Sequence, residues 1–171
     1  SIFSLGLGHT GLAAGGGDSN VYLHDRATET MVKGLDLSRS RILAFATHGL
    51  IAGELRNAEP ALVLTPPKTA SKTDDGLLTA SEIAQLKLNA DMVILSACNT
   101  AAGDGIEGAE GLSGLAKAFF YAGSRSLLVS HWPVDTEAAT RLTTEMMRQL
   151  AENDHPGRSE ALRRSMLVLI V

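Results

Sequence analysis

The chain has 171 residues, enough for one domain of ordinary size, and its 44% hydrophobic and 20% charged content excludes a disordered or fibrous protein. A formal charge of −4, from 15 Lys and Arg against 19 Asp and Glu, leaves no basic footprint for nucleic acid. A single cysteine allows neither an internal disulfide nor a thiolate metal site, and no apolar run reaches the roughly 18 residues of a membrane span.

The start, Ser1-Ile2-Phe3-Ser4, lacks the basic and apolar regions of a signal peptide, so the expectation is a soluble cytoplasmic domain. Residues 1–19 read as a Gly-rich leader or loop. They contain a G-x-G-x-x-G at Gly6, Gly8 and Gly11, with Asp25 and Glu29 near the spacing of a ribose-binding acid. That motif needs a helix opening at its third glycine to hold pyrophosphate, and Gly15-Gly16-Gly17 would break such a helix within a turn. The dinucleotide reading is therefore a minor one.

Beyond the leader, elements alternate. Thr28 to Leu35 reads as a helix. Arg41 to Ala46 is a short apolar run, a buried strand expected to stop at Thr47-His48-Gly49. Ala61 to Leu64 is a second strand with Pro60 at its start. Thr65 to Gly76, rich in Pro, Lys, Ser and Asp, is an exposed loop. Within it, Lys68 and Lys72 mark either a solvated turn or a lid or self-cleavage segment. Thr79-Ala80-Ser81-Glu82 has capping-box spacing and opens a helix reaching about Leu86. Met92 to Ala97 is a third strand, ending at Cys98. A Gly-rich loop follows from Asn99 to Gly111. Leu112, Leu115, Ala116, Phe119 and Phe120 then recur at helical spacing, with Gly123 as the C-cap. Ser126 to Ser130 is a fourth strand leading into His131-Trp132-Pro133. Thr136 to Leu150 carries Ala138, Leu142, Met146 and Leu150 on one helical face, and a last helix starts at Ser159.

Continuous apolar strands joined by amphipathic helices imply an α/β fold with a mostly parallel sheet covered on both faces. Ligands of such sheets bind beyond the carboxyl ends of the strands. That rule selects His48-Gly49, Cys98-Asn99 and His131-Trp132.

Cys98 alone reads as a small buried hydrophobe. Its place after a strand, before a loop and helix bearing Gly103, Gly105, Gly108, Gly111 and Gly114, favours a nucleophile. A thiol needs a base, since the thiolate attacks and free cysteine has a pKa of about 8.5. His48 stands at a strand end fifty positions earlier. If the two strands are neighbours, both side chains emerge at one rim, and the imidazole can support the thiolate and protonate a leaving amine. The N–H groups of Gly49 and Cys98 then form an oxyanion hole. His131 is a rival base. His9, His24 and His155 read as solvated loop residues. The histidines lack H-x-x-x-H spacing and no G-x-S-x-G occurs, so zinc and serine-hydrolase readings have little support.

Several blocks resemble those of the CHAT domain, a caspase-like cysteine peptidase family related to separase and gingipains. They are Phe45-Ala46-Thr47-His48-Gly49, Ser96-Ala97-Cys98-Asn99-Thr100-Ala101-Ala102-Gly103, Glu110-Gly111-Leu112, Ala118-Phe119-Phe120-Tyr121-Ala122-Gly123-Ser124 and Trp132-Pro133-Val134-Asp135. The resemblance covers roughly residues 20 to 171. It implies a three-layer α/β/α caspase-like sandwich and a polypeptide substrate, with His48 and Cys98 as the dyad; a thiolate mechanism of this kind requires no cofactor and no metal. It also implies association with tetratricopeptide repeats, as a partner segment or protein. By likeness to separase, Asp135 at the floor and Trp132 as a wall of a P1 pocket favour Arg or Lys. As a plain N-cap, Asp135 would instead serve the helix at Thr136. Glu137 and Asp104 are weaker rivals for the P1 role. His131 departs from the apolar residue usual before the Trp, and the family's last strand is missing after Val171. The chain is therefore expected to be a truncated copy, incomplete at both ends.

Two further classes of function stand beside the cysteine endopeptidase. A catalytically silent caspase-like interaction module predicts a buried, unreactive Cys98. A dinucleotide-dependent enzyme predicts a response of Trp132 fluorescence to NAD.

Overall fold

The structure, a computed structural model, describes residues 2–6, 19–50, 59–96, 114–130, 135–152 and 156–170. In chain order the strands are β1 (Ile2–Gly6), β2 (Ser19–Leu23), β3 (Ile42–Ala46), β4 (His48–Leu50), β5 (Ala61–Val63), β6 (Leu77–Thr79), β7 (Met92–Leu95) and β8 (Leu127–Val129). The helices are α1 (Glu29–Gly34), α2 (Ala80–Ile83), α3 (Gly114–Ala122), α4 (Thr136–Leu150) and α5 (Arg158–Ile170). They fall into two compact units, one holding β1 to β8 with α1 to α3, the other α4 and α5.

The first unit is a mixed α/β body with two sheets. Five strands in the order β2-β1-β3-β7-β8 form the main sheet, every pairing in it parallel. Three strands, β4-β5-β6, form a small antiparallel sheet. The apolar runs explain the centre of the main sheet. Leu43, Ala44 and Phe45 of β3 and all four residues of β7 are buried, as expected of strands covered on both faces. The rings of Phe45 and Phe119 lie 5.4 Å apart at 47°, which seats α3 on the middle of the sheet. Leu62, Leu64, Leu78 and Ile83 join the same core, so the small sheet and α2 share it with the main sheet.

Caps set the helix ends. The Thr79 hydroxyl accepts from Glu82 N–H while the Glu82 carboxylate accepts from Thr79 N–H at 3.0 Å, a complete capping box. Helix α3 ends at Gly123, whose φ of +110° belongs to the left-handed region. A Cβ there would lie 2.4 Å from the Leu88 carbonyl oxygen, so the close approach of α3 to that loop requires glycine. Gly76, at φ +87°, is restricted in the same way by Pro66.

The structure departs from the sequence reading at several elements. Ile2–Gly6, expected as leader or loop, form β1, and Ser19–Leu23 form β2. Both owe their strand state to pairing with remote partners, which no local pattern encodes. β4 and β6 are three residues each, too short for a period to register. Phe120, expected on the buried face of α3, is 43% exposed, because Leu115, Ala116, Ala118, Phe119 and Ala122 occupy that face. Ala138, expected on the apolar stripe of α4, is exposed, while Met146 is buried. Glu29, considered as a ribose-binding acid, is fully buried and bonded within the protein. Gly8 and Gly11 lie outside the described residues.

In the second unit α4 and α5 pack together, and Arg164 of α5 reaches Glu152 just beyond α4 at 3.7 Å. No helix among the described residues is long and apolar enough to cross a membrane.

Candidate functional site

The site is built at the carboxyl end of β3 and β7. These strands are parallel neighbours, with Ile42 opposite Met92 and Phe45 opposite Leu95. The offset in every rung is fifty positions, which is also the separation of His48 and Cys98. Pairing continues one residue further, since Ser96 N–H donates to the Phe45 carbonyl at 2.9 Å. His48 and Cys98 each lie three positions beyond the last β3–β7 rung, Phe45 opposite Leu95. Cys98 itself lies outside the described residues.

At His48 the structure corrects one expectation. The chain does not stop in a turn after β3; it bends at Thr47 and resumes as β4, in the small sheet. The physical cause is the pairing of His48, Gly49 and Leu50 with Val63, Leu62 and Ala61 of β5. The buried Thr47 hydroxyl adds a bond to the Val63 carbonyl oxygen. His48 is exposed, and Gly49 is half-buried beside it.

The small sheet that carries His48 is held by a polar cluster. The segment Thr65 to Gly76, between β5 and β6, is exposed from Lys68 to Thr73, as expected of a loop, yet both its ends are fixed. Thr65 N–H donates to the Ala27 carbonyl at 2.9 Å, and Leu64 N–H to the Gly76 carbonyl at 2.8 Å. The Glu29 carboxylate accepts from the N–H groups of Asp75 and Gly76 at 2.9 and 3.1 Å. Its other oxygen pairs with Lys33, one turn further along α1. Lys33 also reaches Glu82 at 2.6 Å and the Thr73 carbonyl at 3.1 Å. Burial pulls the Lys33 ammonium toward the neutral form, but its bonds to Glu29 and Glu82 outweigh this and hold its pKa above the usual lysine value. Burial likewise acts to raise Glu82, but donors from Lys33 and Thr79 hold it below the usual carboxylate value. The sequence shows the i,i+4 spacing of Glu29 and Lys33 and the capping box around Glu82. Nothing in it shows that Glu29 and Lys33 meet a loop 40 to 47 residues further on, or that Lys33 joins Glu82.

The other candidates divide as follows. Asp135 caps α4, its Oδ1 accepting from Ala138 N–H at 3.0 Å, and is exposed. Glu137 is exposed in the first turn of that helix. His24 lies in a short 3-10 turn at φ +51°, its carbonyl accepting from the Thr65 hydroxyl. Trp132, His131, Asp104, His9 and His155, and the loop from 99 to 111, lie outside the described residues. Among the described residues no group of three or more His, Cys, Asp or Glu is placed to hold a metal ion.

The family model described as CHAT domain matches residues 9–171. The chain belongs to the CHAT domain family. The match spans both the β3–His48 segment and the β7–Cys98 segment of this CHAT domain, and places it in a caspase-like, peptidase-related family. No curated protein matches the sequence.

Proposed function

We propose that this CHAT domain is a cytoplasmic cysteine endopeptidase working through Cys98 and His48. The observation that carries the reading is the shared fifty-position offset of the β3–β7 ladder and of the two residues. The architecture on this reading is a three-layer α/β/α sandwich.

The Cys98 thiolate attacks the carbonyl carbon of a polypeptide substrate. The N–H groups of Gly49 and Cys98 hold the oxyanion, a contribution of a few kcal/mol where water is excluded. His48 passes its proton to the departing amine as the C–N bond breaks, leaving a thioester on Cys98. Water, deprotonated by His48, then attacks that thioester, and the carboxylate product leaves as the thiolate is restored. No cofactor enters these steps. Trp132 walls the P1 pocket, and Asp135 receives a basic P1 side chain. A tetratricopeptide-repeat segment or partner protein would present the substrate.

A panel of peptides differing only at P1, with Arg, Lys, Asp or Leu, tests both parts. Cleavage of the Arg and Lys peptides alone, lost in Cys98→Ala and weakened selectively in Asp135→Asn, is expected. Equal rates across the panel would remove Asp135 from the pocket. No cleavage of any peptide by a chain whose Cys98 resists iodoacetamide would favour the silent interaction module.

A further inference from the structure

Thr47 is the single residue between β3 of the main sheet and β4 of the small one. It is 7% exposed, an unusual burial for a polar residue unless its hydroxyl is bonded. The hydroxyl donates to the carbonyl oxygen of Val63. Val63 is the residue directly opposite His48 in the β4–β5 register. Two positions before Thr47, the Phe45 carbonyl is taken by Ser96 N–H, on the segment leading to Cys98. The backbone is therefore fixed toward the Cys98 side at Phe45 and toward the small sheet at Thr47, with only Ala46 between.

We propose that Thr47 is a positioning residue for His48: its bond to the Val63 carbonyl sets the direction in which the chain leaves β3, and thereby aims the imidazole at the segment carrying Cys98. The inference rests on the His48–Cys98 reading. Valine at this place keeps the branched shape but lacks the donor, so the side-chain bond to the Val63 carbonyl is lost and the corner is less tightly fixed. Serine keeps the donor and gives up only the methyl group.

Cys98 is the chain's one cysteine, so the rate of iodoacetamide labelling followed by mass spectrometry reports on it alone. An ordinary thiol is only a few per cent thiolate at pH 7, so losing the imidazole in His48→Ala should slow labelling roughly ten-fold. Thr47→Val should slow it most of the way to that value, and Thr47→Ser should stay close to wild type. In the His48→Ala background, Thr47→Val should change nothing further, because a group acting through the imidazole has no effect once the imidazole is gone. Slow labelling of His48→Ala with wild-type labelling of Thr47→Val would overturn the positioning role and leave the dyad standing. Equal labelling of wild type and His48→Ala would remove the dyad and this inference together. A loss on Thr47→Val that persists unchanged without His48 would place the hydroxyl's effect in the fold at large and overturn the inference.

Discussion

The two sheets of the first unit are held by different physics. At the centre of the main sheet, β3 and β7 are closed by apolar side chains, with Phe45, Leu43, Val93 and Leu95 almost fully buried and Phe119 laid across them. The small sheet contributes Leu62 and Leu78 to that core, but its edges are fixed by polar groups: Thr47 on Val63, and Glu29 with Lys33 on the strap before β6. Hydrophobic burial is non-directional and gives a stable platform. Hydrogen bonds are directional, and His48, which the proposed dyad requires to be aimed, sits on the sheet they hold. The platform supplies stability and the small sheet supplies orientation.

The contrast can be strained by mutation. The largest effect should come from Phe45→Ala, which removes a fully buried ring and its contact with Phe119, at about 3–5 kcal/mol of unfolding free energy in urea. A loss under about 1 kcal/mol would mean the main sheet is not the platform. Glu29→Ala should cost about 2–3 kcal/mol, since the Asp75 and Gly76 N–H groups lose a charged acceptor while Lys33 keeps Glu82. Its distinguishing mark is local: amide exchange should accelerate at Asp75 and Gly76 and leave Phe45 and Leu95 protected. Uniform acceleration would erase the distinction between the sheets.

The smallest effect is a pH dependence confined to the strap. Glu82 is held below its ordinary 4.5, so its contribution is complete above that value and fades as pH falls through the lower folded value. Lys33 is held above 10.5, so its contribution is complete below that value and fades as pH rises through the higher folded value. Both groups are partly exposed, which limits the change to less than about 1 kcal/mol at either end. Protection of the Asp75 and Gly76 amides should be flat between those limits and decline outside them, with the β3 amides following global stability alone.

The same difference explains what could be read from the sequence. β3 and β7 were legible because a buried parallel strand is a plain apolar run. The capping box at Thr79 and the cap at Asp135 were legible because their bonds span three residues. His48 was legible as a residue just past an apolar run, though its membership of β4 was not. The bond of Thr47 to Val63 and those of Glu29 to Asp75 and Gly76 carried no signal, because the partners lie 16 and 46 to 47 residues away. β1 and β2 were hidden for the same reason, with glycines adjoining β1 and a polar start to β2. Short-range bonds leave a pattern in the chain, and long-range polar bonds leave none.

The most direct test of the central claim is mass spectrometry of the protein treated with a peptide chloromethylketone ending in arginine. One peptide should become attached to Cys98, and His48→Ala should abolish the adduct while leaving the melting temperature close to wild type. An unmodified Cys98 in the folded wild-type chain, or an adduct that forms equally well without His48, would contradict the account.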